Sequence, residues 1–189
     1  MSLFYTATDK DLFRARNRIV KEVAIPTLFE QGFAQCPFSS SFGAYPGNRR
    51  YYYWLCRLKA PDMLQLVHIS VHHGNRWIQI HVNVVRLDPA PSTLEQLKTS
   101  DFRHFGMPPI SWNEMRVRGV PKPFAREHRV GSYWTRRGYD RQVGRLSELI
   151  ARDMRGINAF FDQWHAWHKP PQVQWSAEWK ESLPAPADR

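Results

Sequence analysis

Hydrophobic residues recur at three- and four-residue steps in two stretches of the chain, one near its start and one near its end. This spacing predicts amphipathic helices over residues 9–31 and 140–168. We expect Asp9 to cap the first helix and Gly32 to end it. Pro26 lies near the last turns and lacks a backbone donor, so we expect it to kink the helix.

Between the two helices the pattern changes to short apolar runs that are separated by turn residues. These runs predict four strands, at residues 36–44, 50–58, 63–72 and 76–87. The connections are too short for crossovers, so the strands should pair as antiparallel hairpins.

The last hairpin carries the clearest pattern in the sequence. A two-residue turn at Gly74-Asn75 would pair residues whose numbers sum to 149, such as Ile69 with Ile80 and Val67 with Val82. A slip of one residue would destroy the sorting of apolar and polar positions. The aliphatic side chains then share one face, and the other face carries His68, Ser70, His72, Trp77, Gln79, His81 and Asn83.

These elements predict an α+β fold, with two long helices packed on one face of an antiparallel sheet of four to five strands. Residues 1–168 are expected to form a single domain, and residues 169–189 a Pro-rich extended tail. A short helix is predicted from Ser92, and an extra strand at residues 114–120. The irregular residues 100–139 either wrap the sheet or carry function.

Composition places the chain among globular proteins, with 42% hydrophobic and 14% aromatic residues. The N-terminal stretch lacks a secretory apolar run, and no stretch is apolar enough for a membrane span. Cys36 and Cys56 are the only cysteines, which is too few for a disulfide scaffold. We therefore expect free thiols and a cytoplasmic protein.

Positive charge is concentrated in the middle of the chain. The net charge is +10, and residues 116–145 hold nine Lys or Arg against Glu127 and Asp140. Such a segment favours an acidic partner, although it is also typical of solvated surface or of internal pairing with Asp88, Glu95, Glu148 and Asp153. The predicted partner-binding residues are Arg116, Arg118, Arg126, Arg129, Arg136, Arg137, Arg141 and Arg145.

The order of elements resembles a bacterial family of small domain-of-unknown-function proteins. The resemblance rests on an opening helix that runs into Gly32-Phe33, an antiparallel meander and a closing helix, and it covers about the first 90 residues. It implies no catalytic residues. Some families of this build bind partner proteins, so the resemblance favours a binding module by analogy.

Two groups of side chains could bind a metal. His68 and His81 oppose each other in the predicted hairpin, and a third ligand would have to come from elsewhere, with Asp101, His104 and His128 as alternatives. On the closing helix, Asp162, His165 and His168 are spaced three apart. Both sets are also typical of ordinary polar surface, and we predict no metal and no cofactor.

No nucleophile elbow or Gly-rich phosphate loop is present, so an enzyme is not expected. Tyr51, Tyr52, Tyr53 and Trp54 follow two arginines and could stack bases, but strand alternation sends them to opposite faces. We predict a non-enzymatic module that binds an acidic protein through the Arg-rich segment. Nucleic-acid binding is the alternative, a metal-dependent hydrolase using His68 and His81 comes third, and the further site candidates on the sheet are His72, Trp77, Gln79 and Asn83.

Overall fold

A computed structural model describes residues 5–37, 41–45, 50–99, 113–118 and 127–175. In these ranges no helix combines the length and the apolar character that a membrane crossing requires. The helices are α1 (Asp9–Ile19), α2 (Ile25–Glu30), α3 (Arg136–Arg155) and α4 (Ile157–Trp167), with a π-turn at Val20–Ala24 and a 3₁₀ helix at Leu94–Thr99. The strands are β1 (Ala34–Gln35), β2 (Phe42–Tyr45), β3 (Arg50–Ala60), β4 (Met63–His72), β5 (Ile78–Asp88), β6 (Met115–Arg116) and β7 (Gln172–Gln174).

The opening helix begins at Asp9, and its cap is Thr8, one residue before the predicted cap. Thr8, not Asp9, has extended backbone, and its hydroxyl accepts a hydrogen bond from the Asp11 backbone N–H at 3.1 Å. The Asp11 carboxylate accepts from the Thr8 N–H in return, which completes a capping box. A π-turn precedes Pro26, which cannot donate in the helical ladder, and Gly32 ends α2 at a φ of +80° that glycine adopts without steric cost.

The predicted α+β class and the hairpin pairing are both confirmed. The main path of the sheet is β1-β3-β4-β5-β6, while β2 also pairs with β3 and β7 runs parallel to β5. Ile69 lies opposite Ile80 and Val67 opposite Val82, as the turn at Gly74 predicts. With the short strands included, the described sheet has seven strands. The single strand predicted at residues 36–44 is replaced by β1 and β2.

The main core lies between the helices and one face of β3, β4 and β5. The predicted aliphatic set is buried there, packed in one cluster with residues of α3 and α4: Val67, Ile69, Val71, Ile78, Ile80, Val82, Leu146, Ile150, Ile157 and Phe161. The closing helix differs from the prediction, because it begins at Arg136 after a Thr135 cap and is interrupted at Gly156. Two helices therefore replace the one that was predicted for residues 140–168.

A second, smaller core covers part of the opposite face, so the aliphatic residues of the sheet are not confined to one side. Alternation continues past the hairpin centre and turns Leu64, Leu66, Val85 and Leu87 away from the helices. Leu97, Val173, Cys36 and Cys56 complete this cluster. Val173 belongs to β7, so the start of the predicted tail is a strand of the sheet.

Candidate functional site

The predicted basic segment does not form one surface, and Arg118 is the clearest exception. Its guanidinium binds the carboxylate of Asp153, which is only 4% exposed and also contacts His128 Nε2 at 2.8 Å. Burial alone would raise the pKa of Asp153, but the hydrogen bonds from Arg118 and His128 lower it to about 2. Arg118 therefore stabilises a buried anion and is not offered to a partner.

Arg116 and Arg129 are held at one end of the sheet. Their guanidinium carbons lie 5.1 Å and 5.3 Å from the centre of a Trp77 ring, close enough for cation–π attraction. Arg129 also forms an ion pair with Glu127 at 3.4 Å. Both side chains thus have partners within the fold.

Arg136 begins α3 and is likewise engaged. It pairs with Asp140 at 3.3 Å and donates a hydrogen bond to the Tyr5 hydroxyl at 2.9 Å. Arg126 lies outside the described residues. Arg137, Arg141 and Arg145 are exposed.

These three arginines belong to a longer stripe on α3. Positions four apart advance by about 40° around a helix, and the stripe continues over two further turns within an arc of about 80°. Its length is about 27 Å at 1.5 Å per residue. We call it the α3 basic stripe, and its exposed members are Arg137, Arg141, Arg145, Arg152 and Arg155, with Glu148 among them.

The stripe was only partly predicted from sequence. Arg152 and Arg155 fall past the segment in which charge was counted, although their helical spacing could have revealed them. Arg152 Nε lies 3.6 Å from Asp153. Within the described ranges, the structure records no ion pair for Arg137, Arg141, Arg145 or Arg155.

A row of polar and aromatic side chains crosses the face of the sheet that points away from the helices. Four adjacent strands contribute directly opposed residues, namely Trp54, His68, His81 and Arg116. The Trp54 and His68 rings stack at 4.2 Å with nearly parallel planes, and the two imidazole rings are 5.9 Å apart. The predicted hairpin thus brings His68 and His81 together, as expected.

Glu114 lies beside the imidazoles of His68 and His81 and adds a carboxylate to this pair. It precedes β6, and its Oε1 lies 3.6 Å from His68 Nδ1. Among the described residues, His68, His81 and Glu114 are the one group of His, Cys, Asp or Glu with ligand atoms close enough for a metal ion, all within 4.8 Å of one another. We call this group the His68–His81–Glu114 cluster.

Glu114 was not among the residues that the sequence analysis named as a possible third ligand. The alternative that named His128 is wrong, because His128 is buried against Asp153. The other two, Asp101 and His104, lie outside the described residues. The position of Glu114 in the sequence could have revealed this role. Glu114 is two residues from Arg116 in the predicted extra strand, so both side chains share a face with His81.

Two members of the cluster, His81 and Glu114, are deprotonated, as ligands of a metal ion must be. Burial lowers the pKa of His81 to about 4; the charge of Glu114 opposes this shift, and those of Arg116 and Arg50 add to it. Burial would raise the pKa of Glu114, but its close approach to His68 and the nearby positive charge of Arg50 hold it below its ordinary value. A neutral His81 imidazole and a carboxylate therefore coexist at neutral pH.

Arg50 borders the cluster on the β3 side. Its Nη2 lies 3.3 Å from His68 Nε2, and because a guanidinium only donates, this contact places the His68 proton on Nδ1. Three buried nitrogens at this place have no hydrogen-bond partner among the described residues: Arg50 Nε, His68 Nδ1 and His81 Nδ1. Such atoms are costly unless something binds them.

The remaining sheet-face candidates contact neighbouring polar groups. Ser70 Oγ lies 3.4 Å from both Gln79 Oε1 and His72 Nε2, and the Asn83 side chain accepts from the Val84 N–H at 2.8 Å. Burial, together with the charges of nearby basic groups, lowers the pKa of His72. Ser70 and Asn83 are buried, whereas His72 and Gln79 are partly exposed.

Asp162, His165 and His168 on the closing helix do not come together as a metal-binding group among the described residues. His165 and His168 each contact the ring of Trp164 at 5.2 Å, and the described residues give no metal-binding group that includes either. Cys36 and Cys56 are buried free thiols in the second core, where burial and a hydrogen bond that the Cys36 thiol makes with Cys56 raise the pKa of Cys36.

The aromatic run on β3 alternates between the two faces, as predicted. Tyr53 packs in the main core, and Tyr51 stacks on Phe13 at 5.0 Å. Trp54 points to the other face, against His68 and the second core. These rings therefore do not form a joint platform for bases.

Comparison of the chain with protein-family models, with curated proteins and with solved structures gave no significant match.

Proposed function

We propose that this protein is a non-enzymatic binding module that engages an acidic protein through the α3 basic stripe. The observation that carries the proposal is the exposed line of five arginines, four of which have no ion pair among the described residues. We also place the protein in the cytoplasm, because its two cysteines are free and buried as in proteins of reducing compartments.

The arrangement suits carboxylates on a facing surface. A guanidinium binds a carboxylate through two parallel hydrogen bonds, and five of them along about 27 Å match the length of an ordinary interface. Like charges on one helix face also repel each other, so an oppositely charged partner relieves a cost that the free protein bears.

Glu148 favours a protein over a nucleic acid. It is exposed in the middle of the stripe, where it would face the phosphates of any nucleic acid that lay along α3. A protein partner could place a Lys or Arg against it and gain a contact that sets the alignment of the two surfaces. The alternative, nucleic-acid binding, is supported by net charge alone.

The test compares two variants with equal net charge. Arg137→Glu, Arg141→Glu and Arg145→Glu together reverse the stripe, whereas Lys10→Glu, Lys21→Glu and Lys59→Glu reverse three exposed cations that lie off α3. Binding to poly-L-glutamate, and to partners recovered by cross-linking in the native cell, is measured for both. The proposal expects the first variant to lose binding and the second to retain most of it; equal losses would mean that only net charge matters.

Nucleic acid is distinguished by its salt dependence. If the five arginines contacted duplex phosphates, the logarithm of the association constant would fall with the logarithm of salt concentration with a slope of about −4 to −5. Replacing Glu148 with Gln would then strengthen binding to duplex DNA. We expect a shallower slope, little gain from Glu148→Gln on DNA, and weaker association of Glu148→Gln with the cross-linked protein partner.

A further inference from the structure

The His68–His81–Glu114 cluster has the composition of a transition-metal site. Two imidazoles and one carboxylate are a common set of three protein ligands for Zn²⁺, with a water molecule in the fourth position. Imidazole nitrogens select against Mg²⁺ and Ca²⁺, which prefer oxygen ligands. We propose that His68, His81 and Glu114 bind one divalent transition-metal ion, for which Zn²⁺ is the best fit.

The distances require only small side-chain movements. A tetrahedral zinc ion with bonds of about 2.0–2.1 Å holds its ligand atoms roughly 3.3–3.5 Å apart. His68 Nδ1 and Glu114 Oε1 are already 3.6 Å apart, and the whole set lies within 4.8 Å. The backbone positions are fixed because β4, β5 and β6 are hydrogen-bonded neighbours.

Two buried nitrogens of the cluster are unsatisfied and available to a metal. His68 Nδ1 and His81 Nδ1 are both buried without a hydrogen-bond partner in the described part of the protein. His68 is 8% exposed, while His81 and Glu114 are partly exposed and leave a route for the ion from solvent. Binding would satisfy both nitrogens at once.

Arg50 opposes the ion, and this opposition gives the proposal a distinctive consequence. When His68 Nδ1 binds a metal, its proton moves to Nε2, which then can no longer accept from the Arg50 guanidinium. Arg50 must swing away, and its charge also repels the cation. Removal of the Arg50 charge should therefore tighten metal binding, which a cluster of purely structural hydrogen bonds would not predict.

The experiment uses the full, tag-free chain, with Zn²⁺ measured by titration calorimetry and Co²⁺ by the visible absorption of a tetrahedral site. We expect one ion per chain, a loss of at least about 100-fold in affinity for His81→Asn and for Glu114→Gln, and a gain of about tenfold for Arg50→Gln. His165→Asn, which removes an exposed histidine of α4, is the matched control and should leave affinity unchanged.

Circular dichroism of each variant establishes that it is folded, and Glu114→Gln preserves the shape of the side chain. The proposal is overturned if the wild-type chain takes up no Zn²⁺, or if Glu114→Gln and His81→Asn bind as the wild type does. It is also overturned if His165→Asn is the variant that loses the ion. Because none of these variants lies in the α3 basic stripe, the result is independent of the proposed function.

Discussion

The two faces of the central strands are built from the same three segments of chain but in opposite ways. Toward the helices, residues such as Val67, Ile69 and Ile80 form a largely apolar surface, and these three side chains are fully buried. On the other side the same strands present polar groups at the hairpin end, including His68 and Ser70, and apolar groups at the far end.

The two faces therefore contribute to the protein in different ways, one through apolar packing and the other through polar groups. The helix side is packed mainly by apolar side chains, whose contribution to stability follows from the area removed from water. On the other side, polar groups are buried almost as deeply, which costs free energy unless they find partners. Three nitrogens there lack a partner among the described residues, and so this face is the more informative one about function.

The largest expected effect comes from a cavity in the helix side. Replacing Ile80 with Ala removes a fully buried side chain from the centre of the main core and should lower the free energy of unfolding by about 4 kcal/mol. Urea denaturation measures this loss. Ile80→Val should cost only about 1 kcal/mol, and equal costs for the two variants would show that the helix layer is not packed against this position.

A matched cavity on the opposite side should cost less. Leu66 is 1% exposed in the second core, which is smaller and is bordered by the short strand β7. Its neighbours can therefore collapse more completely, and we expect Leu66→Ala to cost about 2–3 kcal/mol in the same assay. A loss larger than that of Ile80→Ala would reverse the ranking of the two cores.

Asp153 is a buried anion in the helix layer, and its contribution to stability should respond to acid. Because the folded-state pKa of Asp153 is about 2, below its ordinary value of 3.8, its contribution is complete above pH 4 and is lost as pH falls through 2. The wild type should lose about 2 kcal/mol more than Asp153→Asn between pH 5 and pH 2. Urea unfolding at both pH values measures the difference, and the exposed Asp162→Asn should behave as the wild type does.

The smallest effect concerns the thiols of the second core. Cys36 and Cys56 are buried and free, and the pKa of Cys36 is raised, so neither should react with a thiol reagent in the native protein. After denaturation without reductant, both should titrate. Recovery of fewer than two thiols would mean that the cysteines are oxidised in the native protein, contrary to the expected cytoplasmic location.

The hairpin shows what short-range pattern can specify. Alternation of apolar and polar residues around Gly74, together with the turn itself, predicted every pair from Val67 with Val82 to Val71 with Ile78. A register shifted by one residue would have exposed the whole aliphatic set, so only one pairing is compatible with a buried core. His68 and His81 were placed opposite each other by the same argument.

Sequence alone thus determined the α+β class, the helix-covered face and two members of the His68–His81–Glu114 cluster. Only the tertiary structure decided the rest. Glu114 reaches His68 across β5 from a segment without periodicity, and Arg118 leaves the basic segment to bind Asp153, 35 residues away. Such contacts depend on where distant segments pack, whereas strand pairing and helix faces depend on the spacing of neighbours along the chain.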